Sequence, residues 1–282
     1  MQTMNDRTQW VPILIITLGV AITAFPLWIT FVASTLTNRM IAQGMPVLPG
    51  DQMIPNYMQA LFDSATTRIV SPPVWSMMWN SFIMAMVIAV GKIAISIISA
   101  YAVVFFSFPG RMLFFWMIFI TLMLPVEVRI VPTYQVVADL GMLNTYAGLT
   151  IPLIASATAT LLFRQFFLTI PDELVEAAKI DGAGPIRFFR DVVLPLSATN
   201  IAALFVILFI YGWNQYLWPL LITTTASMST IVIGITQMIG SGDAMTDWNT
   251  VMATTVLAIL PPMLVVIVMQ RWFVKGLVDT EK

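Results

Sequence analysis

The chain has 282 residues, of which 59% are hydrophobic and 10% charged, and its mean hydropathy is +0.90. Soluble domains carry about 25% charged residues, and one core cannot bury this much apolar surface, which excludes a water-soluble globular protein. The chain has no Cys and no His, which excludes disulfides, thiol catalysis and the common zinc sites, and its net charge of −1 excludes a basic surface for nucleic acid.

Lipid is therefore the expected surroundings, and a helix that crosses a bilayer needs about 20 apolar residues. Six stretches predict an all-α membrane protein with one transmembrane domain over residues 1–282: 11–34, 77–106, 113–134, 146–167, 200–222 and 249–270. The first stretch exceeds the roughly 7–15 apolar residues of a signal peptide, so we expect an uncleaved span. Prolines in the third and fourth stretches are tolerated where neighbouring helices satisfy the freed carbonyls.

The basic residues predict the orientation of these spans, because Lys and Arg are enriched in cytoplasmic loops. One set of connecting segments holds Arg7, Arg111, Arg164, Lys179, Arg187, Arg190, Arg271, Lys275 and Lys282. The opposite set holds only Arg39 and Arg68, with Arg129 at its border. Both termini are therefore predicted to be cytoplasmic. The outer loop 35–76 is rich in turn-forming residues and is predicted to hold a short helix around Tyr57–Phe62.

Lys92 lies near the middle of the second span, about 20 Å from either end, so its amine cannot reach water by extending along the helix. A charge at this depth costs roughly 2.5–3.5 kcal/mol on insertion scales. Lys92 is expected either to bind a carbonyl or carboxylate inside the protein, or to line the path of an anion such as a phosphate ester. Gly91-Lys92 is not a nucleotide-binding loop, because Met86 replaces its first Gly and Ile93 its Ser or Thr.

Two further groups are candidates for the substrate path. Glu127 and Arg129 follow Pro125 in the outer half of the third span, where they either pair with each other or a neighbouring subunit, or Arg129 receives a phosphate. The second group lies near the outer end of the fifth span: Trp213, Asn214, Tyr216 and Trp218. These residues form either an interfacial aromatic belt or part of the cavity wall.

The longest segment on the basic side, residues 168–199, reads as two short helices around a turn. Thr169 is expected to cap the first helix, with Pro171 in its first turn. Asp181-Gly182 predicts the turn. The second helix is expected to begin at Pro185 and to end at Pro195.

Each arm of this hairpin places apolar residues on one face. In the first arm these are Leu174, Ala177 and Ala178, and in the second arm Ile186, Phe189 and Val193. Small residues allow another backbone to approach closely, which favours docking into a partner's groove. An amphipathic hairpin resting on lipid headgroups would show a similar pattern.

Three segments of the hairpin carry a resemblance that separates these alternatives: Glu176-Ala177-Ala178, Asp181-Gly182-Ala183 and Val192-Val193-Leu194-Pro195. Their order and spacing resemble the EAA loop of bacterial ABC importer permeases, although Val192 stands where Ile is usual. The resemblance implies that this loop is the coupling helix that docks into a cleft on the ATPase subunit. The residues that it assigns to coupling are Glu176, Ala177, Ala178, Asp181, Gly182, Ala183, Phe189, Leu194 and Pro195.

The resemblance extends over most of the chain. Asn80-Ser81, the run Leu140–Leu149, Phe163–Phe167 and Trp213–Pro219 are similar to motifs of the carbohydrate-uptake class of these permeases. The runs Phe114–Arg129 and Ile210–Gly212 and the ending from Gly276 are similar to its members that import glycerol phosphate.

This resemblance implies a heterodimer with a second, homologous permease in the bacterial inner membrane, two ATPase subunits that hold ATP and Mg²⁺, and a periplasmic solute-binding protein. It implies no cofactor and no catalytic residue in this chain. A permease for a neutral sugar or polyol is the alternative within the class. A stand-alone secondary transporter or channel would need no ATPase, and a membrane scaffold would carry no flux.

Overall fold

Long apolar runs favour helices for this chain in lipid, because a helix forms hydrogen bonds with its own N–H and C=O groups and leaves none unsatisfied in the hydrocarbon. The computed structural model describes residues 10–44, 47–63, 72–121, 126–239 and 246–278, and it describes only the backbone of Val126, Glu127 and residues 273–278. Every regular element in this described part is helical, which agrees with the predicted all-α class.

The α-helices, in chain order, are α1 (Trp10–Ser34), α2 (Asn38–Gln43), α3 (Met53–Phe62), α4 (Val74–Phe105), α5 (Arg111–Ile120), α6 (Val126–Asp139), α7 (Tyr146–Thr150), α8 (Ala157–Phe167), α9 (Asp172–Ile180), α10 (Pro185–Phe188), α11 (Leu194–Leu196), α12 (Ala198–Trp213), α13 (Leu217–Ile222), α14 (Ile231–Met238) and α15 (Trp248–Val278). Short 3₁₀ turns cover Ile151–Leu153 and Ala226–Met228, and a π-helix covers Phe189–Val193.

Three of the described helices are long and apolar enough to cross a membrane: Trp10–Ser34, Val74–Phe105 and Trp248–Trp272. Two helix pairs raise this number to five if each pair is one span. They are Tyr146–Leu153 with Ala157–Phe167, bent by 47°, and Pro185–Leu196 with Ala198–Trp213, bent by 69°. The predicted third span is divided between α5 and α6, and residues 122–125, with Pro125, lie outside the described residues. The number of six spans therefore stays a prediction.

The predicted fifth span, residues 200–222, is wrong in its continuity. Helix α12 ends at Trp213, and Leu217–Ile222 forms the separate helix α13. Hydropathy detects the apolar composition of both pieces, but not the break at Asn214–Tyr216 between them.

The internal contacts divide the chain into two compact units, the first from 1–76 and 234–260 and the second from 77–233 and 261–282. In the first unit, Asn56 fixes α3 to the end of α1, because its side-chain amide donates to the carbonyls of Ser34 (2.9 Å) and Leu36 (2.8 Å). Asn249 in turn donates to the Asn56 side chain. The helix predicted near Tyr57 is present as α3.

The core of the second unit forms where α4, α6, α7 and α13 meet. Its buried side chains are Met84, Ile88, Ile130, Val137, Leu149, Leu153, Trp218 and Ile222. Helices α4 and α12 also approach closely, because a Cβ added at Gly212 would lie 2.8 Å from the Cα of Ala85. Small residues at such crossings allow the tight packing that joins helices in lipid.

Candidate functional site

The turn of the hairpin is a complete Schellman motif, in which the two residues after the C-cap return hydrogen bonds to the last helical turn. The N–H of Gly182 donates to the carbonyl of Lys179 (3.0 Å), and that of Ala183 donates to the carbonyl of Ala178 (2.9 Å). Gly182 has φ +70°, a left-handed conformation that glycine adopts at little cost. The segment Ala178–Ala183 therefore ends α9 in a tight, hydrogen-bonded turn.

The first arm of the hairpin, α9, is mostly exposed: Val175 and Ala178 are half-buried, and none of the residues Asp172–Ile180, all of them described, is buried. Asp172 and Glu173 lie in its first turn and Lys179 in its last, where each charge opposes the helix dipole favourably. The predicted Thr169 cap is wrong: Pro171 is the N-cap residue, and the Thr169 hydroxyl donates instead to the carbonyl of Phe166.

Pro185 begins the second arm, as predicted, since its missing N–H leaves no helical partner unsatisfied there. The arm continues as a π-helix over Phe189–Val193, in which the N–H of Leu194 reaches back to the carbonyl of Phe189. The predicted stop at Pro195 is wrong by one residue, because the helix ends at Leu196 before the 69° bend. π-Helical turns are rare and occur frequently at functional sites.

The predicted apolar stripe of the second arm is also wrong in one member. Val193 is fully buried and Phe189 half-buried, but Ile186 is 84% exposed, and Phe188 is buried in its place. In a π-helix each N–H donates to the carbonyl five residues back rather than four, which changes the angle between successive side chains. A stripe drawn at α-helical spacing from Val193 therefore assigns Ile186 to the wrong face.

The exposed tip of the hairpin is apolar on both arms. Ile180 at the end of α9 is 85% exposed, and Ile186 faces solvent in the second arm. The ion pair between Arg187 and Asp191 (3.5 Å) lies beside Ile186 on the surface. Ile180 and Ile186 are not among the residues predicted for coupling. Of those that are, Ala178 and Ala183 are half-buried, and the following are exposed: Glu176, Ala177, Asp181, Leu194 and Pro195.

Lys92, the charge predicted within the second span, is only 7% exposed. Its Nζ lies 3.9 Å from the centre of the Tyr211 ring on α12, a cation–π contact that offsets part of the cost of desolvating the charge. Among the described side chains, no carboxylate lies within salt-bridge distance of Lys92. The positive charge of the exposed Arg129 guanidinium, on α6, acts on Lys92.

One interruption of helical backbone, between the 3₁₀ turn and α8, contacts α4 on both sides of Lys92. Gly91 faces the end of the 3₁₀ turn before α8, because an added Cβ there would lie 2.9 Å from the side chain of Ile154. The Ser96 hydroxyl donates to the carbonyl of Ser156 (3.2 Å) in the same interruption. Irregular backbone at membrane depth is tolerated only inside protein or beside a water-filled cavity.

The fifth-span candidates separate into two groups. Trp213 is buried and stacks on Phe209, and Trp218 is buried with its Nε1 donating to the carbonyl of Gly148 (3.1 Å). Neither tryptophan forms the predicted interfacial belt. Asn214 and Tyr216 are exposed. The Glu127 side chain, and with it the predicted Glu127–Arg129 pair, lies outside the described residues.

The sequence prediction missed Tyr211 and Tyr101. Tyr211 lies in the noted run Ile210–Gly212, but its distance from Lys92 along the chain hides their contact. Tyr101 precedes a cluster of phenylalanines near the end of α4, and its hydroxyl donates to the carbonyl of Pro185 (2.8 Å). The aromatic run is a visible signal, but only the fold shows what it packs against.

Comparison with known proteins gives the following matches. Residues 92–279 match the family described as binding-protein-dependent transport system inner membrane component. The chain is 65% identical to the sn-glycerol-3-phosphate transport system permease protein UgpE of Brucella melitensis, covering 95% of both chains. It is 63% identical to UgpE of Agrobacterium fabrum, again over 95% of both chains, and 61% identical to UgpE of Salmonella typhi, over 94% of both.

Among solved structures, the fold is similar to the crystal structure of a bacterial ABC transporter involved in the import of the acidic polysaccharide alginate. The TM-score is 0.82, the sequence identity 21%, and the likeness covers 97% of this chain and 100% of that one. At this identity the likeness shows the fold alone.

Proposed function

Because this chain belongs to the family of binding-protein-dependent transport system inner membrane components, we propose that it forms part of the path by which sn-glycerol-3-phosphate, or a related glycerophosphodiester, enters the cell. It is a permease subunit of an ABC importer, and its relatives are transport components rather than catalysts. The hydrolysis of ATP belongs to partner subunits, and this chain supplies the membrane path and the surface on which they act.

The observation that carries the choice of an anionic substrate is the buried cation Lys92. A lysine in a membrane span is normally paired, yet among the described side chains the amine of Lys92 has no carboxylate partner and lies over the Tyr211 ring, and the positive charge of Arg129 acts on it. A phosphate monoester carries close to two negative charges and binds lysine well. A neutral sugar would gain nothing from this arrangement.

The surroundings of Lys92 support a binding site. Interrupted spans commonly bring unwound backbone to the substrate site of transporters. Here Gly91 and Ser96 of α4 contact the interruption at 154–156. Helix α4 also contacts α12, which ends at a second interruption, 214–216. Asn214, three residues beyond Tyr211 and exposed, is the residue that we propose binds the glycerol hydroxyls. Arg129, Glu127 and Tyr216 complete the proposed path, whereas Trp213 and Trp218 support its walls through packing.

The hairpin supports coupling to an ATPase. Its exposed apolar tip, Ile180 and Ile186, is costly in water and suits a partner's groove. ATP binding closes the ATPase pair, the hairpin moves with it, and the spans open toward the loaded binding protein. The proposed assembly holds one homologous second permease, two ATPase subunits with ATP and Mg²⁺, and one periplasmic binding protein.

The proposed topology has six spans with both termini in the cytoplasm of a bacterial cell. The third span combines α5 and α6, and the fifth combines α12 and α13, with α10 and α11 as the hairpin arm. Basic residues collect at the hairpin end of the second unit: Arg187 and Arg190 lie in the hairpin, and Arg164 of α8 stacks on Phe115 of α5 (4.4 Å). This distribution supports a cytoplasmic hairpin.

Uptake by Lys92→Met tests the proposal. In proteoliposomes containing the assembled importer, we expect this variant to take up radiolabelled sn-glycerol-3-phosphate at least about tenfold more slowly, because a hydrogen bond to a charged group contributes about 1.5–3 kcal/mol. Lys92→Arg should retain more activity than Lys92→Met. Arg39→Met, which removes an exposed basic residue outside the spans, should transport normally.

An unchanged rate for Lys92→Met would contradict the role of Lys92 in an anion path. Uptake of a neutral sugar by the wild-type importer, insensitive to Lys92→Met, would favour the alternative substrate class. Uptake of sn-glycerol-3-phosphate without ATP would contradict the importer mechanism itself.

A further inference from the structure

An aromatic cluster joins the hairpin to the end of α4. We define it as Tyr101, Phe105, Phe163, Phe167, Phe188 and Phe189. The ring centroids of Tyr101 and Phe189 are 4.9 Å apart, those of Phe105 and Phe188 5.3 Å, and those of Phe105 and Phe167 5.8 Å. The cluster therefore includes rings from α4, α8 and the second arm of the hairpin.

Among the described residues of this cluster, Tyr101 makes the one side-chain hydrogen bond to the hairpin backbone. Its hydroxyl donates to the carbonyl of Pro185 at 2.8 Å, and Pro185 is the first residue of the second arm. Its ring also contacts Phe189, the first residue of the π-helix. Tyr101 thus contacts both the first residue and the middle of the second arm.

The first arm offers no comparable attachment, because no residue of Asp172–Ile180, a fully described segment, is buried. Besides the hydrogen bond at Pro185, the hairpin therefore packs on the rest of the second unit mainly through Phe188, Phe189 and Val193 of its second arm. A partner that moves the hairpin would transmit its force through these residues.

Helix α4 extends this connection to the buried cation. It is one uninterrupted helix of 32 residues without proline, and Lys92 lies nine residues before Tyr101, about 14 Å along the axis. Sharp kinks in helices arise mostly at proline or at breaks in the hydrogen bonding, and α4 has neither between the two residues. A displacement of α4 at Tyr101 is therefore expected to reach Lys92.

We propose that Tyr101 is a positioning residue that couples the movement of the hairpin to α4 and so to the substrate path around Lys92. This inference rests on the proposed function, in which an ATPase moves the hairpin. Tyr101 itself contacts neither substrate nor nucleotide. The hydrogen bond from its hydroxyl to Pro185 moves α4 together with the hairpin, and this shared movement couples ATP hydrolysis to transport.

The test is the ratio of substrate transported to ATP hydrolysed, measured on the full importer in proteoliposomes with its binding protein. Tyr101→Phe keeps the ring and removes the hydrogen bond. We expect ATP hydrolysis within about twofold of wild type and a transport ratio lowered about fivefold, the effect of one ordinary hydrogen bond. Tyr57→Phe is the matched control, since it removes a hydroxyl bonded to Ser34 (2.9 Å) in the first unit, and its ratio should be unchanged.

A second variant separates coupling from folding, and the absence of native cysteine makes it simple. Tyr101→Cys/Phe189→Cys should be poorly coupled when reduced and should regain a higher ratio when a short bismaleimide bridges the two positions. A merely structural role for Tyr101 would lower hydrolysis and transport together and leave the ratio unchanged.

Three results would overturn the inference: a normal ratio for Tyr101→Phe, a proportional loss of both activities, or no recovery on bridging the two cysteines. Each is interpretable only beside a wild-type importer that shows ATP-dependent uptake. If the wild type itself shows none, the proposed function fails first, and the two failures are thereby distinguished.

Discussion

At Gly182 a local sequence signal and a local structure coincide. Turn chemistry involves only neighbouring residues, so Asp181-Gly182 could be predicted as the turn, and the structure adds the left-handed φ and the Schellman hydrogen bonds. Lys92 could likewise be found from hydropathy alone, because a charge inside an apolar run is conspicuous. Its contact with Tyr211 could not, since no local pattern relates two residues on separate helices.

Gly182→Glu should disable the turn of the hairpin. A non-glycine residue in the left-handed region costs roughly 1–2 kcal/mol, and the added carboxylate lies beside Asp181 on the surface that we propose for docking. We expect transport to be lost while the protein still inserts in the membrane, as measured by uptake in vesicles at matched protein level.

Gly182→Asn is the control for this experiment, because asparagine tolerates the left-handed conformation at a helix end and adds no charge. It should keep most of the transport activity. Normal uptake by Gly182→Glu would contradict a docking role for the turn.

Among the elements, the first, second and sixth predicted spans match α1, α4 and α15 closely. Each is a long uniform apolar run, which hydropathy describes well. The fourth and fifth spans are broken in the structure, at Ile154–Ser156 and Asn214–Tyr216, because the path of the backbone depends on neighbouring helices. The exposure of Ile186 could not be predicted either, because the π-helix departs from the regular α-helical spacing that the sequence pattern assumes.

The close crossing of α4 and α12 leaves no room for a larger side chain at Gly212. Gly212→Leu should lower the thermal unfolding temperature of the purified importer by several degrees, because its side chain would have to displace the backbone of Ala85, and overpacking costs about 1–3 kcal/mol or more. Gly19→Leu is the matched control, since Gly19 lies in α1 with nothing within 4 Å of an added Cβ. Equal effects of the two substitutions would contradict a specific crossing at Gly212.

For the molecule as a whole, composition already required lipid, and the family match and relatives established an ABC importer permease. What one chain cannot specify is the identity of the surfaces that cover its exposed apolar residues, because that depends on other proteins. The hairpin tip is the clearest such surface, and the proposed coupling requires an ATPase subunit bound there.

The most direct measurement is site-directed crosslinking in the assembled membrane complex. The chain has no cysteine, so Ile180→Cys and Ile186→Cys each provide one defined attachment point at the tip, and Ala226→Cys, exposed in the turn before α14, provides the control. We predict that a short thiol-to-amine crosslinker joins the two tip positions, but not the control, to the ATP-hydrolysing subunit. Absence of that crosslink from both tip positions in an importer with normal ATP-dependent uptake would contradict the account.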